Sequence, residues 1–476
     1  MISVDNISYR YRGSERWAIE NVSFFVNKGE TLLLAGYSGS GKSTVIKAIV
    51  GLIPGFYGGE FRGRVIVDSL QVNGSPIKSV IQKVSYVPQN PDNHFVTTTV
   101  ENDVAFMLEN LGMDCDTIRE RVEWSLSLLE ISDLKKRPIM ELSEGQKQRV
   151  AIAGAIAHEP RVLLLDEPTG FMDAEGTQDL LKAVNKLKRD INITVIIAEH
   201  RVKQLMPYVD RLLFMDEGRI QDAPDTLEKL YSYAEQPYVL NNGAPTASTA
   251  VQLTGVYYSY RQGFMVIKGI DLSIRAGELL FILGPNGSGK STLLRIMAGI
   301  YKPTKGSVYI NGMDISHLNQ RAISRMIGIV PQNPDHALFE EKVIDEIAFG
   351  AKNLGVDAPY EMAKRSAELF NVSSLLSRSP LELSWGEKKR VSIASVVAFN
   401  PEIIAIDEPT AGQDYKNRKM FADVVSTLLR IGKTVIIATH DLELVSSFSG
   451  ARTVIMEGGK LTYDGPQAKS RIQRTV

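Results

Sequence analysis

Two stretches of this chain combine glycines, a lysine and hydroxyls at a spacing suited to gripping phosphate. Gly36-Tyr37-Ser38-Gly39-Ser40-Gly41-Lys42-Ser43-Thr44 recurs 248 residues later as Gly284-Pro285-Asn286-Gly287-Ser288-Gly289-Lys290-Ser291-Thr292. Both fit the pattern G-x-x-x-x-G-K-[ST]. The glycines let the backbone turn tightly, so that successive N–H groups converge on phosphate oxygens while the next helix presents its positive end to the same anion. Lys42 and Lys290 are expected to reach the β- and γ-phosphates, and Ser43 and Ser291 to ligate Mg²⁺. One chain is therefore expected to hold two nucleoside-triphosphate sites.

The repeat continues motif by motif. Gln89, in Val87-Pro88-Gln89-Asn90-Pro91-Asp92, matches Gln332 in the same six-residue string, an offset of 243. Leu142-Ser143-Glu144-Gly145-Gln146 matches Leu383-Ser384-Trp385-Gly386-Glu387 at 241, as does Asp166-Glu167-Pro168-Thr169 with Asp407-Glu408-Pro409-Thr410. His200 matches His440 at 240. The offset falls by five just after the first phosphate loop, which predicts a five-residue loop insertion within Ile53–Glu60. Two matched histidines at matched strand ends point to function, whereas His94 and His336, 242 residues apart, do not match the offset of 243 of the adjacent glutamines and read as structural.

The elements that must position these residues follow from the apolar pattern. Thr31 to Ala35 and Leu279 to Leu283 enter the phosphate loops as buried strands. Val162 to Leu165 and Ile403 to Ile406 are continuous apolar runs of the kind buried on both faces of a parallel sheet. Asp166 and Asp407 end them, where α/β folds hold ligands. Thr194 to Ala198 and Thr434 to Ala438 each deliver a histidine at the strand end. Helical periodicity dominates between each glutamine and the following serine, with Val100, Val104, Met107, Leu108 and Leu111 on one face.

At 476 residues the chain exceeds what one core usually supports. Domains are expected at 1–232 and 250–476, joined by a linker at 233–249 whose composition is flexible, with residues 227–234 a candidate helix. Lys+Arg 54 against Asp+Glu 55 leaves a net charge of −1, with no basic footprint for nucleic acid. A single cysteine, Cys115, excludes a disulfide framework, a four-cysteine zinc site and a self-contained iron–sulfur cluster. The opening residues do not form a signal peptide, and no apolar run nears the roughly 18 residues of a membrane helix. The chain is expected to be soluble and cytosolic.

These motifs, in this order and spacing, resemble the nucleotide-binding domain of an ATP-binding-cassette (ABC) protein twice over, across essentially the whole chain. The resemblance implies an α/β fold of two tandem P-loop cassettes, each with a RecA-like parallel-sheet core, an antiparallel β subdomain and a helical subdomain. It implies an ATPase with ATP and Mg²⁺ as ligands. Gly36, Ser38, Gly39, Ser40, Gly41, Lys42, Ser43 and Thr44 would bind nucleotide, as would Gly284, Asn286, Gly287, Ser288, Gly289, Lys290, Ser291 and Thr292. Asp166 and Asp407 would hold the Mg²⁺ water shell, Glu167 and Glu408 polarise the attacking water, and His200 and His440 contact the γ-phosphate. Gln89 and Gln332 would sense Mg²⁺ and water. Tyr11 and Tyr260, 25 and 24 residues before their loop glycines, would stack on adenine, with a core tyrosine as the alternative.

In this family the signature serine and glycine of one half close over ATP on the other. Ser384 and Gly386 would then complete the Lys42 site, and Ser143 and Gly145 the Lys290 site, so that the halves pair intramolecularly. Both signatures depart from LSGGQ: Glu144 and Trp385 stand at its first glycine, and Glu387 at its glutamine, where it is expected to bring negative charge towards the Lys42 site. The strings Gln89-Asn90-Pro91-Asp92 with Val100–Phe106, and Gln332-Asn333-Pro334-Asp335 with Val343–Phe349, resemble the ATPases of energy-coupling-factor (ECF) importers. That implies a peripheral protein at the cytoplasmic membrane face, partnered by a transmembrane coupling subunit and a substrate-binding membrane subunit for a vitamin, vitamin precursor or metal ion. An ordinary ABC importer ATPase and a soluble mechanoenzyme acting on ribosome or nucleic acid are the alternatives. The grooves for membrane helices are expected within Asp92–Glu109 and Asp335–Lys352, with Glu101 and Glu346 as surface charges there.

Overall fold

A computed structural model describes residues 1–170, 172, 174–200, 202–221, 238–239, 247–260, 263–410 and 415–466. The chain divides into two compact units, Met1–Tyr233 and Ala234–Val476. Most of the expected linker, and all of the candidate helix at 227–234, lie outside the described residues. Within that linker, Tyr238–Val239 pairs in parallel with Phe448–Ser449 of the second unit.

Each unit is built on a six-stranded sheet. In the first the order is Arg219–Gln221, Arg211–Asp216, Thr31–Gly36, Thr194–Glu199, Val162–Asp166, Val84–Val87, parallel except for the first pair. The second repeats it as Lys460–Pro466, Arg452–Glu457, Leu279–Leu283, Thr434–Thr439, Ile403–Asp407, Ile327–Val330.

Continuous apolar strands arise because both sheet faces are covered, and side chains alternate between them. Leu33, Leu163, Leu165 and Val195 enter one core with the helical subdomain. Leu32, Leu34, Leu164 and Ile196 enter the other with the phosphate-loop helix and a four-stranded antiparallel sheet. The second unit splits the same way, Phe281 and Ile404 on one side and Leu280 and Ile403 on the other.

The helical subdomains contain Val100–Asn110, Cys115–Leu128 and Glu144–Ile156, and then Val343–Leu354, Pro359–Leu369 and Trp385–Val397. Of the expected apolar face, Val100, Val104 and Leu108 are buried, while Met107 and Leu111 are half-buried at its rim. The insertion in the first half falls between the helix Lys42–Ile49 and the strand Glu60–Val67. No described helix is long and apolar enough to cross a membrane.

Candidate ATP sites

Each phosphate loop links a buried strand to a helix that starts at its lysine, Lys42–Ile49 or Lys290–Met297. Gly41 (φ 103°) and Gly289 (φ 105°) cap these helices in the left-handed region. A Cβ on Gly41 would meet Ala18 O at 2.8 Å, and one on Gly289 would meet Met456 Cε at 2.9 Å. The left-handed conformation calls for glycine at both positions, and at Gly41 the Ala18 carbonyl also leaves no room for a Cβ. The lysines fold across their loops: Lys42 Nζ donates to Gly36 O and Tyr37 O at 2.8 and 2.9 Å, and Lys290 Nζ to Gly284 O and Pro285 O at 2.7 and 3.1 Å. Ser40 Oγ and Ser288 Oγ are buried in the loops without a hydrogen-bond partner among the described residues.

The strand ends bring carboxylates to the loops. Ser43 Oγ donates to Asp166 Oδ1 at 2.9 Å, and Ser291 Oγ to Asp407 Oδ1 at 3.0 Å. Burial raises both aspartates, Asp166 to about 6. Glu167 and Glu408 follow in left-handed backbone conformations (φ 47° and 43°), secured by N–H bonds to Ala198 O and Ala438 O. Burial pushes Glu408 up, but the charge of His440, its hydrogen bond and Lys290 outweigh it and hold the carboxyl down at about 2. Glu167 is lowered in the same way, with burial opposed by His200 and Lys42. Lys42 Nζ lies 3.6 Å from Glu167, and Lys290 Nζ 3.4 Å from Glu408.

The two halves differ around the histidines. His440 Nδ1 is 3.0 Å from Glu408 itself, whereas His200 Nδ1 is 3.8 Å from Glu167 and 3.1 Å from Glu199, a fully buried carboxylate that also accepts from Thr169 Oγ1. The Nε2 atoms of both histidines are buried without a hydrogen-bond partner among the described residues. Gln89 Nε2 donates to Glu167 Oε2 at 2.6 Å, so the loop glutamine joins the first carboxylate cluster. Gln332 is held through its main-chain carbonyl, which accepts from Lys389 Nζ at 2.9 Å.

The tyrosines stand beside the loops. Tyr11 Oη lies 3.2 Å from Thr44 Oγ1 and Tyr260 Oη 2.9 Å from Thr292 Oγ1. Tyr260 is half exposed and edge-on to Tyr258 and Tyr301; Tyr11 is edge-on to Tyr9 and Tyr57. Tyr86, which no motif singles out, places its hydroxyl 3.4 Å from Asp166 Oδ2.

The serine hydroxyl, aspartate carboxylate and glutamine carbonyl at each loop are hard oxygen donors, which fit Mg²⁺. Among the described residues no group of three or more His, Cys, Asp or Glu could hold a metal. Phosphates and water would supply the ion's other ligands.

The signature serines begin helices through reciprocal caps. Ser143 Oγ accepts from Gln146 N while Gln146 Oε1 accepts from Ser143 N; Ser384 and Glu387 repeat the arrangement. Within its own unit, then, Glu387 turns its charge back onto Ser384, accepting also from Ser384 Oγ at 2.7 Å. The glutamine-loop strings have matching reasons: Asn90 and Asn333 cap the turns that follow, and Asp92 and Asp335 pair with Lys147 and Lys388 at 2.7 and 2.6 Å.

One expected surface charge is not on the surface. Glu346 is 3% exposed and accepts from Phe339 N and Glu340 N, as Asp103 does from Val96 N and Thr97 N. These carboxylates pin the loops, which expose Val96 and Phe339 alongside polar residues such as Thr98, Glu341 and Lys342. Glu101 is half-buried and paired with Lys135 at 3.3 Å.

Family comparison agrees with this geometry. The ABC transporter family model matches residues 19–170 and 267–411. A putative ABC transporter ATP-binding protein of Methanosarcina mazei is 33% identical over 98% of this chain and 89% of its own length. A similarly described protein of Vibrio vulnificus is 32% identical over 98% and 90%. Among solved structures, cbiO1 from Clostridium perfringens, described as part of the ABC transporter complex cbiONQ, is 32% identical over 46% of this chain and 88% of its own, with a TM-score of 0.43. The chain belongs to the ABC transporter family and is an ATPase with two ATP-binding cassettes.

Proposed function

We propose that this ATPase energises a membrane importer of the energy-coupling-factor type, working at the cytoplasmic face of the membrane beneath a transmembrane coupling subunit. The observation that carries the reading is a repeated apolar surface beside each glutamine loop. Val96, Phe106 and Met140 are exposed in the first half, and Phe339, Phe349 and Leu381 at matching positions in the second. Phe339 and Phe349 meet edge-on at 4.7 Å. Exposed aromatic clusters of this kind mark interaction sites. The patches are unequal, one dominated by aliphatic and the other by aromatic side chains, which suits two different helices of one asymmetric subunit. The glutamine-loop strings favour the energy-coupling-factor class over an ordinary importer.

At each site the residues divide the work of phosphoryl transfer, which is mostly positioning and charge stabilisation. Lys42 and Lys290 would leave their loop carbonyls for the phosphates, and Tyr11 and Tyr260 would hold the adenine. Glu167 and Glu408, ionised at neutral pH, would orient and polarise the attacking water, with His200 and His440 turning Nε2 to the γ-phosphate. Ser43, Asp166 and Gln89, and likewise Ser291, Asp407 and Gln332, would hold Mg²⁺, which when bound neutralises charge on the phosphates. Ser384 and Gly386 would close over the Lys42 site, and Ser143 and Gly145 over the Lys290 site.

Copurification from native membranes, with identification of the associated proteins, tests the reading. One coupling subunit with a separate substrate-binding membrane protein is expected. Phe339→Ser with Phe349→Ser should release the chain from membranes and spare its basal ATPase rate. Recovery with ribosomes and no membrane protein would refute the transport assignment.

A further inference from the structure

The second half buries a lysine that the chemistry above does not use. Lys389 is 2% exposed, one turn into the signature helix Trp385–Val397. Its Nζ donates to Pro331 O and Gln332 O at 2.9 Å each and to Asp407 O at 3.2 Å. An ammonium has three protons, and all three are used. The acceptors lie just beyond or at the ends of two neighbouring parallel strands, Ile327–Val330 and Ile403–Asp407. One cation therefore ties the signature helix, the start of the glutamine loop and the strand end that carries Asp407 and Glu408.

The first half lacks this tie. Gln148 occupies the corresponding helix position at the same depth, 3% exposed. Its Nε2 is buried without a hydrogen-bond partner among the described residues. There the loop glutamine instead reaches Glu167 through its own side chain. Stability alone does not explain the lysine, because replacing buried charges by apolar groups of similar volume is often neutral or favourable.

We propose that Lys389 is a positioning residue of the second ATP site, fixing the backbone at Gln332 relative to Asp407 so that this site is set before nucleotide arrives. The first site, with Gln148, holds its glutamine loop through the Gln89–Glu167 side-chain hydrogen bond instead, without this backbone tie. The inference rests on assigning Lys290, Gln332 and Asp407 to one ATP site.

The test uses the full chain with Glu167→Gln, so that turnover reports the second site. Lys389→Met should lower kcat at least tenfold and change KM for ATP less than threefold, since the phosphate loop and Tyr260 are untouched. Amide hydrogen exchange in residues 332–340, measured without nucleotide, should speed up by a similar factor. Lys389→Gln, the residue the first half accommodates, should reproduce both effects and guards against a folding failure of the methionine variant. Gln148→Lys should slow exchange in residues 89–97. Unchanged kcat and unchanged exchange in the lysine variants would overturn the proposal, as would a fall in melting temperature with kcat held within twofold. Lys290→Ala in the same background is the control: if it leaves turnover intact, the site assignment fails and not the role of Lys389.

Discussion

Glu167 and Glu408 occupy a backbone region that residues with a Cβ rarely enter, and they do so in both halves at the same strand end. Such strain costs of the order of 1–3 kcal/mol per residue and persists where surrounding structure enforces it. Here the enforcement is an N–H bond from each glutamate to the adjacent strand. The turn aims an ionised carboxylate back across the phosphate loop, within 4 Å of the loop lysine. Glu167→Gln with Glu408→Gln should keep ATP binding and abolish steady-state hydrolysis, a loss of at least about 10²-fold for a general base. Equilibrium binding of a fluorescent ATP analogue and phosphate release check the two halves of that statement; unchanged turnover would remove the water-polarising role. The convergence of these glutamates with the lysines and histidines was legible in the sequence, because each stands in a short repeated motif at a strand end or a helix start. Glu199, Tyr86 and Lys389 were not. Their partners are a histidine ring, a carboxylate edge and main-chain carbonyls brought together by folding, and no local pattern records such contacts.

At the scale of the element, the loops beside each glutamine are held by carboxylates from the following helix. Helical periodicity placed Val104 and Leu108 in the core, but it could not tell that Asp103 and Glu346 also turn inward, since an acidic residue in a first turn usually faces solvent near the helix N-terminus. Glu346 accepts two successive N–H groups, and burial raises its pKa against their pull. Glu346→Ala would strand both donors, and should destabilise the second unit by about 2–4 kcal/mol. Glu346→Gln keeps an acceptor oxygen and removes the cost of burying charge, so it should stay within about 1 kcal/mol of wild type. The sign of the pH effect follows from the raised folded pKa: the folded state holds this proton more tightly, so the group's contribution falls as pH rises from its ordinary value of 4.5 through the folded value. The glutamine variant should lose that part of the pH dependence. Calorimetric melts across the acid range, comparing the two variants, decide the matter.

At the scale of the whole molecule, the proposed crossed signatures can be tested, because two complete phosphate loops and two signature serines lie in one chain. The repeat was visible at once because every motif recurs at an offset between 240 and 248. How the halves serve one another is a separate question, and it has a thermodynamic answer. If Ser143 completes the Lys290 site, Ser143 and Lys290 act as one catalytic unit, and damage to either removes most of what the other contributes. The pair Ser143→Ala and Lys290→Ala should then be strongly non-additive in kcat/KM, with an interaction of about 1–3 kcal/mol, as should Ser384→Ala with Lys42→Ala. Ser143→Ala with Lys42→Ala should be nearly additive, because these residues would serve different sites. The serines also cap their own helices, so each single variant carries a stability cost of about 1 kcal/mol. Ser143→Thr and Ser384→Thr separate the two roles, since threonine keeps the cap and adds a methyl group where the opposite nucleotide must fit. Retained melting temperature with impaired turnover is the expected result for these variants. Coupling of Ser143 to Lys42 stronger than to Lys290 would show that each signature serves its own half, and would rule out the crossed arrangement.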